Sequence, residues 1–497
     1  MILENYLFQY FQYTSFRPGQ KEVITSVLNG CHTMAMLPTG TGKSLCYQLP
    51  GYLLPGQVLV VSPLLSLMQD QVEQMKMNGE KSVVAINSFL SRVERIKVLK
   101  QLEKYKFIFI SPETLANDLI IENLKRLNIS LFVIDEAHCI SQWGYDFRPD
   151  YIKLGAVRKS LGQPLTLALT ATATKLVIQD ITQTLELDRC KKVFASVDRP
   201  NIALAVRNIA SHQEKWEILN EFVSKLEKPG IVYFSSKKMA EQAVSFLQNK
   251  GISKVMAYHG GMDQESRILI QQQFLHNQLD IICATSAFGM GVNKENIRFV
   301  IHFHMPQQME SYLQEIGRAG RDGKPSIAVL LYSTGDEQIA YQLAESEIPS
   351  SEQLDWLVEV MKTSKNFSVY QIPFQDEWKK IGGFTDIQWR MLCDYLLRMD
   401  ERKDVQQIFS HYKKELESRR QLKREKISFM TSWSNSNSCR REHILTYFGE
   451  KELIDNRPEN CCDICGLEWS KFDKTPDFAK NNDEFSWKQR LADILLN

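Results

Sequence analysis

No apolar run in the 497 residues approaches the ~20 that a bilayer-spanning helix requires. The first residues, MILENYLFQYFQY, lack the basic start and the small-residue cleavage site of a secretory signal, so a cytoplasmic location is expected. Excess charge is missing too: 60 basic against 59 acidic residues leave a net +1, which excludes a uniformly cationic nucleic-acid coat but not a local basic groove. There is no low-complexity tract and no solenoid-type repeat. Cysteine is sparse, ten residues in all, and four of them fall together near the end: Cys439, Cys461, Cys462 and Cys465. In a cytosolic chain such clustering points to a metal more than to disulfides.

What is present is one pattern repeated. Short β-branched runs alternate with polar helical stretches: VLVVSP, FIFISPE, LFVIDEAH and TLALTATAT, then GIVYFSS, VMAYHGG, IICATSAFGMG, FVIHF and IAVLLY. Nearly continuous apolar runs between helices predict parallel strands covered on both faces. Polar residues follow each run, at the strand ends where open α/β sheets bind ligands. The pattern forms two blocks, and SVDRPNIALAV between them, with Pro200, reads as a linker. The expected fold class is therefore α/β, with two tandem parallel-sheet lobes at 1–195 and 196–340. A helical insertion over 341–400, a helical metal-binding module over 401–470 and a tail over 471–497 are expected to follow.

Several segments carry chemistry. LPTGTGKS supplies Leu37, Pro38, Thr39, Gly40, Thr41, Gly42, Lys43 and Ser44 between an apolar run and a helix. Glycines let backbone N–H groups wrap phosphates, Lys43 reaches the terminal phosphates of ATP, and the Ser44 hydroxyl can hold Mg2+. Leu37 stands where the strict pattern has Gly. Asp135 and Glu136 close the run LFVI about 90 residues later; phosphoryl transfer needs one carboxylate for the metal, assigned to Asp135, and one for water, assigned to Glu136. In FQYTSFRPGQ, Tyr13, Arg17 and Gln20 can stack on adenine or bond its edge; the alternative is an amphipathic helix with its aromatics in the core. QEIGRAGRDG carries Gln314, Arg318 and Arg321; the two arginines, three residues apart, are cations suited to stabilising transition-state charge from a second lobe.

Together these motifs resemble superfamily 2 helicases. FRPGQ, LPTGTGKS, VVSPLLSLMQDQV, DEAHCISQWGYDFRPDY, LTATAT, SVDRPNI, YHGGM, AFGMGVNK and QEIGRAGRDG, in this order, resemble the RecQ family, densely over about residues 5–336 and again at Cys439–Cys465. The short bacterial members are the nearest in plan. The resemblance implies two RecA-like lobes and a zinc module. It also implies an ATP-dependent DNA helicase moving 3′ to 5′ in recombination, repair or replication. An RNA-directed ATPase and a nucleic-acid-binding scaffold are the alternatives. Expected cofactors are ATP, Mg2+ and Zn2+. The expected partners are single-stranded DNA, tailed or forked duplexes, and replication or repair proteins, with no membrane and nucleoid association if the source is bacterial.

SQWGYDFRPDY interleaves Trp143, Tyr145, Phe147 and Tyr151 with Arg148. Aromatics stack on bases at ~1–3 kcal/mol each without sequence preference, so Trp143, Phe147 and Arg148 are candidate DNA contacts; burial in the core is the other reading. Tyr145 stands where the family usually has His, which puts a proton-linked role there in question. Ser235, His259 and Thr285, just after runs of the second block, are further candidate DNA contacts. Cys439, Cys462 and Cys465 are expected to hold zinc. The fourth ligand is Cys461, adjacent to Cys462 where the family leaves two or three residues, or His443. The insertion, with Trp356, Trp378 and Trp389, is either a packing unit or a binding element. KKELESRRQLKREK, with seven basic and three acidic residues, is either a solvated, ion-paired face or a duplex-binding one. The 32 residues after Cys465 are too few for a winged-helix domain, so duplex grip is expected from the zinc module, the basic helix or the insertion.

Overall fold

The computed structural model describes residues 3–63, 65–87, 90–141, 148–289, 294–363, 372, 375–396, 399, 404–450 and 457–474. Trp143, Tyr145 and Phe147 lie outside these residues, as does the chain beyond 474.

Two parallel sheets form in sequence. The first contains β1 (Thr33–Met36), β2 (Gln57–Val61), β3 (Val83–Ile86), β4 (Phe107–Ile110), β5 (Ile129–Ile134), β6 (Thr166–Thr170) and β7 (Lys191–Phe194), in the order β3-β4-β2-β5-β6-β1-β7. The second contains β8 (Ile202–Ile209), β9 (Gly230–Tyr233), β10 (Val255–Tyr258), β11 (Ile281–Ala284), β12 (Phe299–His302) and β13 (Ser326–Ser333), in the order β10-β11-β9-β12-β13-β8. Every pairing is parallel. Central strands such as β2, β4, β9 and β11 are buried nearly end to end, as their apolar runs require with helices on both faces. β7 is an edge strand, and only Val193 of its four residues is buried, which is why KKVF carries no strand pattern.

SVDRPNIALAV is only in part a linker. From Ile202 onward it is β8, the edge strand of the second sheet, paired over eight residues with β13. The apolar run after Pro200 is this strand, whose first five residues, Ile202 to Val206, are all buried. The true connector is the short segment up to Asn201.

Beyond the second sheet the chain is helical. Helices Ser351–Thr363 and Asp386–Leu396 and the first half of Val405–Ser434 share a separate core around Leu357, Trp389, Leu392, Tyr395, Phe409 and Tyr412. The 30-residue helix Val405–Ser434 then runs on to Trp433, packed in the main core. Its basic stretch is largely ion-paired: Lys413 with Asp355, Arg424 with Glu345, Lys426 with Glu310, and Lys423 with Glu347. The helix Arg440–Tyr447 follows. The short turn Trp469–Phe472 packs back onto the second sheet, with Trp469 stacked 5.3 Å from Phe222. Among the described residues no helix is long and apolar enough to cross a membrane.

Candidate nucleotide site, strand cleft and metal cluster

The loop after β1 is held open by glycine. Gly40 and Gly42 adopt φ of 85° and 73°, left-handed values that L side chains rarely take. Gln20, at the start of helix Gln20–Leu28, binds the carbonyls of Thr41 and Gly42 through Nε2 at 2.6 and 3.0 Å, and Arg17 binds the Gly40 carbonyl. Thr41 Oγ1 returns to Pro38 at 2.7 Å. The FRPGQ segment therefore supports the loop directly. Tyr13 beside it is 58% exposed, so the core reading of this aromatic does not hold.

Lys43 Nζ lies 3.5 Å from Glu136 Oε1 and has no hydrogen-bond partner although it is buried. A buried ammonium held only by one long ion pair keeps unused donors, and phosphate oxygens would satisfy them; the loop thus fits a nucleotide. The carboxylate pair sits at the end of β5. Burial, and then the charge of Glu136, push the Asp135 carboxyl up to about 7. Burial also opposes ionisation of Glu136, but Lys43, His138 and Arg318 outweigh it and hold this carboxyl below its usual range. Glu136 itself has φ 47° and ψ 48°, an uncommon conformation for a residue with a side chain. The turn aims its carboxylate at Lys43 and brings His138 Nδ1 to 3.4 Å from Glu136 Oε2. The same Nδ1 is 3.0 Å from Thr170 Oγ1 at the end of β6, which links the DEAH and LTATAT segments.

The second sheet faces this site with arginines. Arg318 is buried and donates to the Gly289 carbonyl. Burial, then the like charges of Arg318 and Arg199, pull the Arg321 guanidinium down to about 9. A Cβ at Gly40 would lie 2.8 Å from Arg321 Cγ, so the phosphate loop and the arginine meet. Gln314 lies on helix Met309–Ile316 and lines the cleft described below.

Arg199 of the connector is a residue that the sequence reading left unassigned. Its guanidinium donates to four carbonyls: Thr39 (3.0 Å) in the phosphate loop, and Gly317 (3.1 Å), Ala319 (3.0 Å) and Gly320 (2.7 Å) in the arginine segment. A planar fork can span two turns in this way, and a lysine cannot. Arg441 in turn holds the connector, donating to the Asp198 carboxylate, the Arg199 carbonyl at 3.1 Å and the Ile202 carbonyl at 2.6 Å. In the sequence Arg199 stood inside the SVDRPNI motif without a role of its own.

A cleft of about 1060 Å³ opens beside the second sheet, larger than the ~300–1,000 Å³ of small-molecule sites. Ser235, Thr285 and Arg148 line it; His259 does not, pairing instead with Glu241 at 2.9 Å while its neighbour Gly260 reaches the wall. Burial pushes the His304 imidazole down to about 3; its Nδ1 accepts from the Ser235 backbone N–H at 3.3 Å and lies 3.1 Å from Ser235 Oγ.

The four clustered cysteines converge, with their sulfurs within 4.8 Å of one another. Cys439 and Cys461 Sγ are 3.7 Å apart, close to the ~3.8 Å expected between thiolates bound tetrahedrally at ~2.3 Å. Adjacent Cys461 and Cys462 both belong to the group. The hydrogen bond from Cys461 and backbone N–H groups pull the Cys462 thiol down to about 4, the thiolate form a metal takes. His443 is not in the group; its Nε2 is 2.7 Å from Ser438 Oγ.

Comparison with known proteins agrees with this layout. The DEAD/DEAH box helicase model matches residues 17–181, the helicase conserved C-terminal domain 214–323 and the RecQ zinc-binding model 402–466. The chain is 47% identical to the probable ATP-dependent DNA helicase RecS of Bacillus subtilis (strain 168), over 99% of this chain and 97% of that one. It belongs to the RecQ family of helicases. The RecQ protein of Synechocystis is 33% identical over 93% of this chain and 98% of its own length. Among solved structures, the DNA-bound helicase MrfA superposes with a TM-score of 0.58 at 19% identity, covering 69% of this chain and 52% of that one, a likeness of fold. The two RecA-like lobes of this RecQ chain are thus the two sheets described above, and its zinc-binding match contains the four-cysteine cluster.

Proposed function

We propose that the protein is an ATP-driven DNA helicase that translocates 3′ to 5′ on a single strand and opens duplexes in recombination, repair or replication. The observation that carries this reading is the composite site: Lys43 on one lobe, its ammonium buried with no hydrogen bond and only a 3.5 Å ion pair to Glu136, and Arg318 and Arg321 brought in from the other. Lys43 and the loop N–H groups would bind the phosphates, Gln20 and Arg17 shape the loop, and Glu136 takes the proton of the attacking water. Arg318 and Arg321 stabilise charge on the transferred phosphoryl group. Asp135 and Ser44 are the residues that would hold magnesium, which supplies charge neutralisation at the phosphates. Tyr13, exposed beside the loop, would stack on the base. Ser235, Thr285 and Arg148 would meet the strand in the cleft, with Trp143 and Phe147 of the adjoining segment.

We assign the lobes to 1–195 and 196–340, the helical insertion to 341–400 and the zinc module to 401–470. Cys439, Cys461, Cys462 and Cys465 would close a structural zinc site without an open position. The family likeness and the relatives' names favour DNA over RNA. The test is hydrolysis with single-stranded DNA against RNA, followed by unwinding of duplexes bearing a 3′ or a 5′ tail. Stimulation by RNA alone, or opening from 5′ tails alone, would overturn the assignment.

A further inference from the structure

The Asp386–Leu396 helix has two faces. Trp389, Leu392, Tyr395 and Leu396 are buried in the helical core. Ile387, Arg390, Met391 and Asp394 form the other face, at the i, i+3, i+4, i+7 spacing of one helical stripe, and line the cleft. The long helix repeats the spacing with Arg419, Leu422, Lys423 and Lys426 on the same cleft. The wall opposite is Ser235, Lys237 and Thr285 of the second lobe, with Arg148 from the first.

Anchorage of this helical unit is uneven. Toward the second lobe, Lys426 pairs with Glu310 at 3.1 Å, and within the unit Gln388 Nε2 donates to the carbonyls of Ser346 (2.9 Å) and Ile348 (3.2 Å), at the end of the helix Asp336–Ser346 by which the chain leaves that lobe. Toward the first lobe the Asp386–Leu396 helix reaches through Arg390, whose Nη2 lies 2.9 Å from Asp150 and 3.9 Å from Glu113. Arg390 is 57% exposed, and Asp150 sits three residues after Phe147, at the end of the aromatic-rich segment. The unit is thus fixed on one bank of the cleft and latched on the other by an ion pair between a solvent-open arginine and a largely buried carboxylate.

We propose that this unit is a strap that encloses a single DNA strand in the cleft between the two lobes and the helices. The proposal rests on the DNA-motor reading above and adds a surface to it. Cleft chemistry suits a strand: cations for phosphates, and Ile387, Met391 and Leu422 for the faces of bases. Ile387 is itself 57% exposed, an uncovered apolar side chain on a helix that packs its other face well. Lys423 and Lys426 already hold Glu347 and Glu310, so a phosphate gains them only by exchange. That grip is weak at each point and suits a strand that must slide. The latch suits loading, because an ion pair whose arginine stands open to solvent is partly screened and biases a two-state equilibrium by only about fivefold.

The test uses the full chain and two single strands of equal length and sequence, one linear and one circular. Wild-type protein challenged with excess competitor should leave the circle more slowly than the linear strand, from which it can slide off an end. Arg390→Glu places a carboxylate against Asp150 and Glu113. It should leave the circle about three- to fivefold faster than wild type and bind it faster, with hydrolysis in the absence of DNA unchanged. Asp150→Arg in the same chain should restore slow release. A photoreactive benzoyl-phenylalanine in place of Ile387 should couple covalently to the linear strand on irradiation. Identical release from the circle by wild type and Arg390→Glu, together with no coupling at position 387 while the strand still stimulates hydrolysis, would refute the strap alone. Failure of either strand to bind would refute the motor reading and the strap with it.

Discussion

Removing the Arg199 guanidinium should disable hydrolysis without unfolding either lobe. Arg199 reaches across the boundary that the nucleotide must close, from Thr39 on one side to the Gly317–Gly320 turn on the other. A hydrogen bond from a charged donor contributes ~1.5–3 kcal/mol. Four bonds on one guanidinium are not additive, and at this half-buried position water can replace part of them, so we take about 3 kcal/mol for the closed alignment as a whole. At 1.36 kcal/mol per decade that is a loss of about a hundredfold in strand-stimulated kcat for Arg199→Ala. Lysine can donate only from a point and cannot span both turns, so Arg199→Lys should recover no more than about tenfold. Each sheet has a cluster of its own on one face, around Val60 and Val133 in the first and Val232 and Val329 in the second, so thermal unfolding should move little. The assay is steady-state ATP hydrolysis at saturating DNA, with circular dichroism confirming that the variants are folded. Folded Arg199→Ala protein hydrolysing ATP within threefold of wild type would show that the clamp does not align the lobes.

Lys43→Ala should lower hydrolysis at least about a hundredfold while strand affinity, measured by fluorescence anisotropy, stays within severalfold of wild type. One zinc per chain is expected by elemental analysis; Cys461→Ser should lose it and His443→Ala should keep it, and the reverse pattern would reassign the fourth ligand. Asp70 lies in the interlobe contact with Gln271 at 3.2 Å, and burial pushes its carboxyl up to about 6 from 3.8. The folded chain therefore holds a proton that the unfolded chain releases between those values, and stability falls as pH rises through that window. The shift amounts to ~3 kcal/mol, which solvent screening at this partly exposed site reduces to about 1 kcal/mol. Asp70→Asn should thus stabilise the protein at pH 7.5 and be neutral below pH 4 in urea denaturation; an equal effect at both would remove the linkage.

The central strands were legible because a strand covered on both faces must be apolar almost throughout, and β2, β4, β5, β6, β9, β11, β12 and β13 are. Edge strands escape that rule. β7 exposes both its lysines, and β8 was hidden behind Pro200 in a segment that began as connector. Phosphate and carboxylate chemistry was legible because it is written in short contiguous motifs. The Arg199 clamp was not, since Thr39 lies 160 residues away and the partners are backbone carbonyls, which carry no sequence identity. Arg390 was equally silent: nothing in the sequence pairs it with Glu113 or Asp150, which the fold alone brings beside it. The adjacency of Cys461 and Cys462 made the fourth ligand ambiguous in the sequence, and only the convergence of the four sulfurs separates Cys461 from His443.

The cysteine cluster also bears on solubility. β8 pairs on one side with β13 and would offer its other side as an unpaired row of N–H and C=O groups, the usual template for edge-to-edge aggregation. Here the cysteine segment lies along that row. Leu204 N–H donates to the Cys461 carbonyl at 3.3 Å, Asp463 N–H to the Leu204 carbonyl at 2.9 Å, and Val206 N–H to the Asp463 carboxylate at 3.3 Å. A metal held by these cysteines would pin the cover in place. Loss of the metal would then be felt first as a sticky sheet: demetallated protein should self-associate in proportion to its concentration before its motor lobes lose their fold.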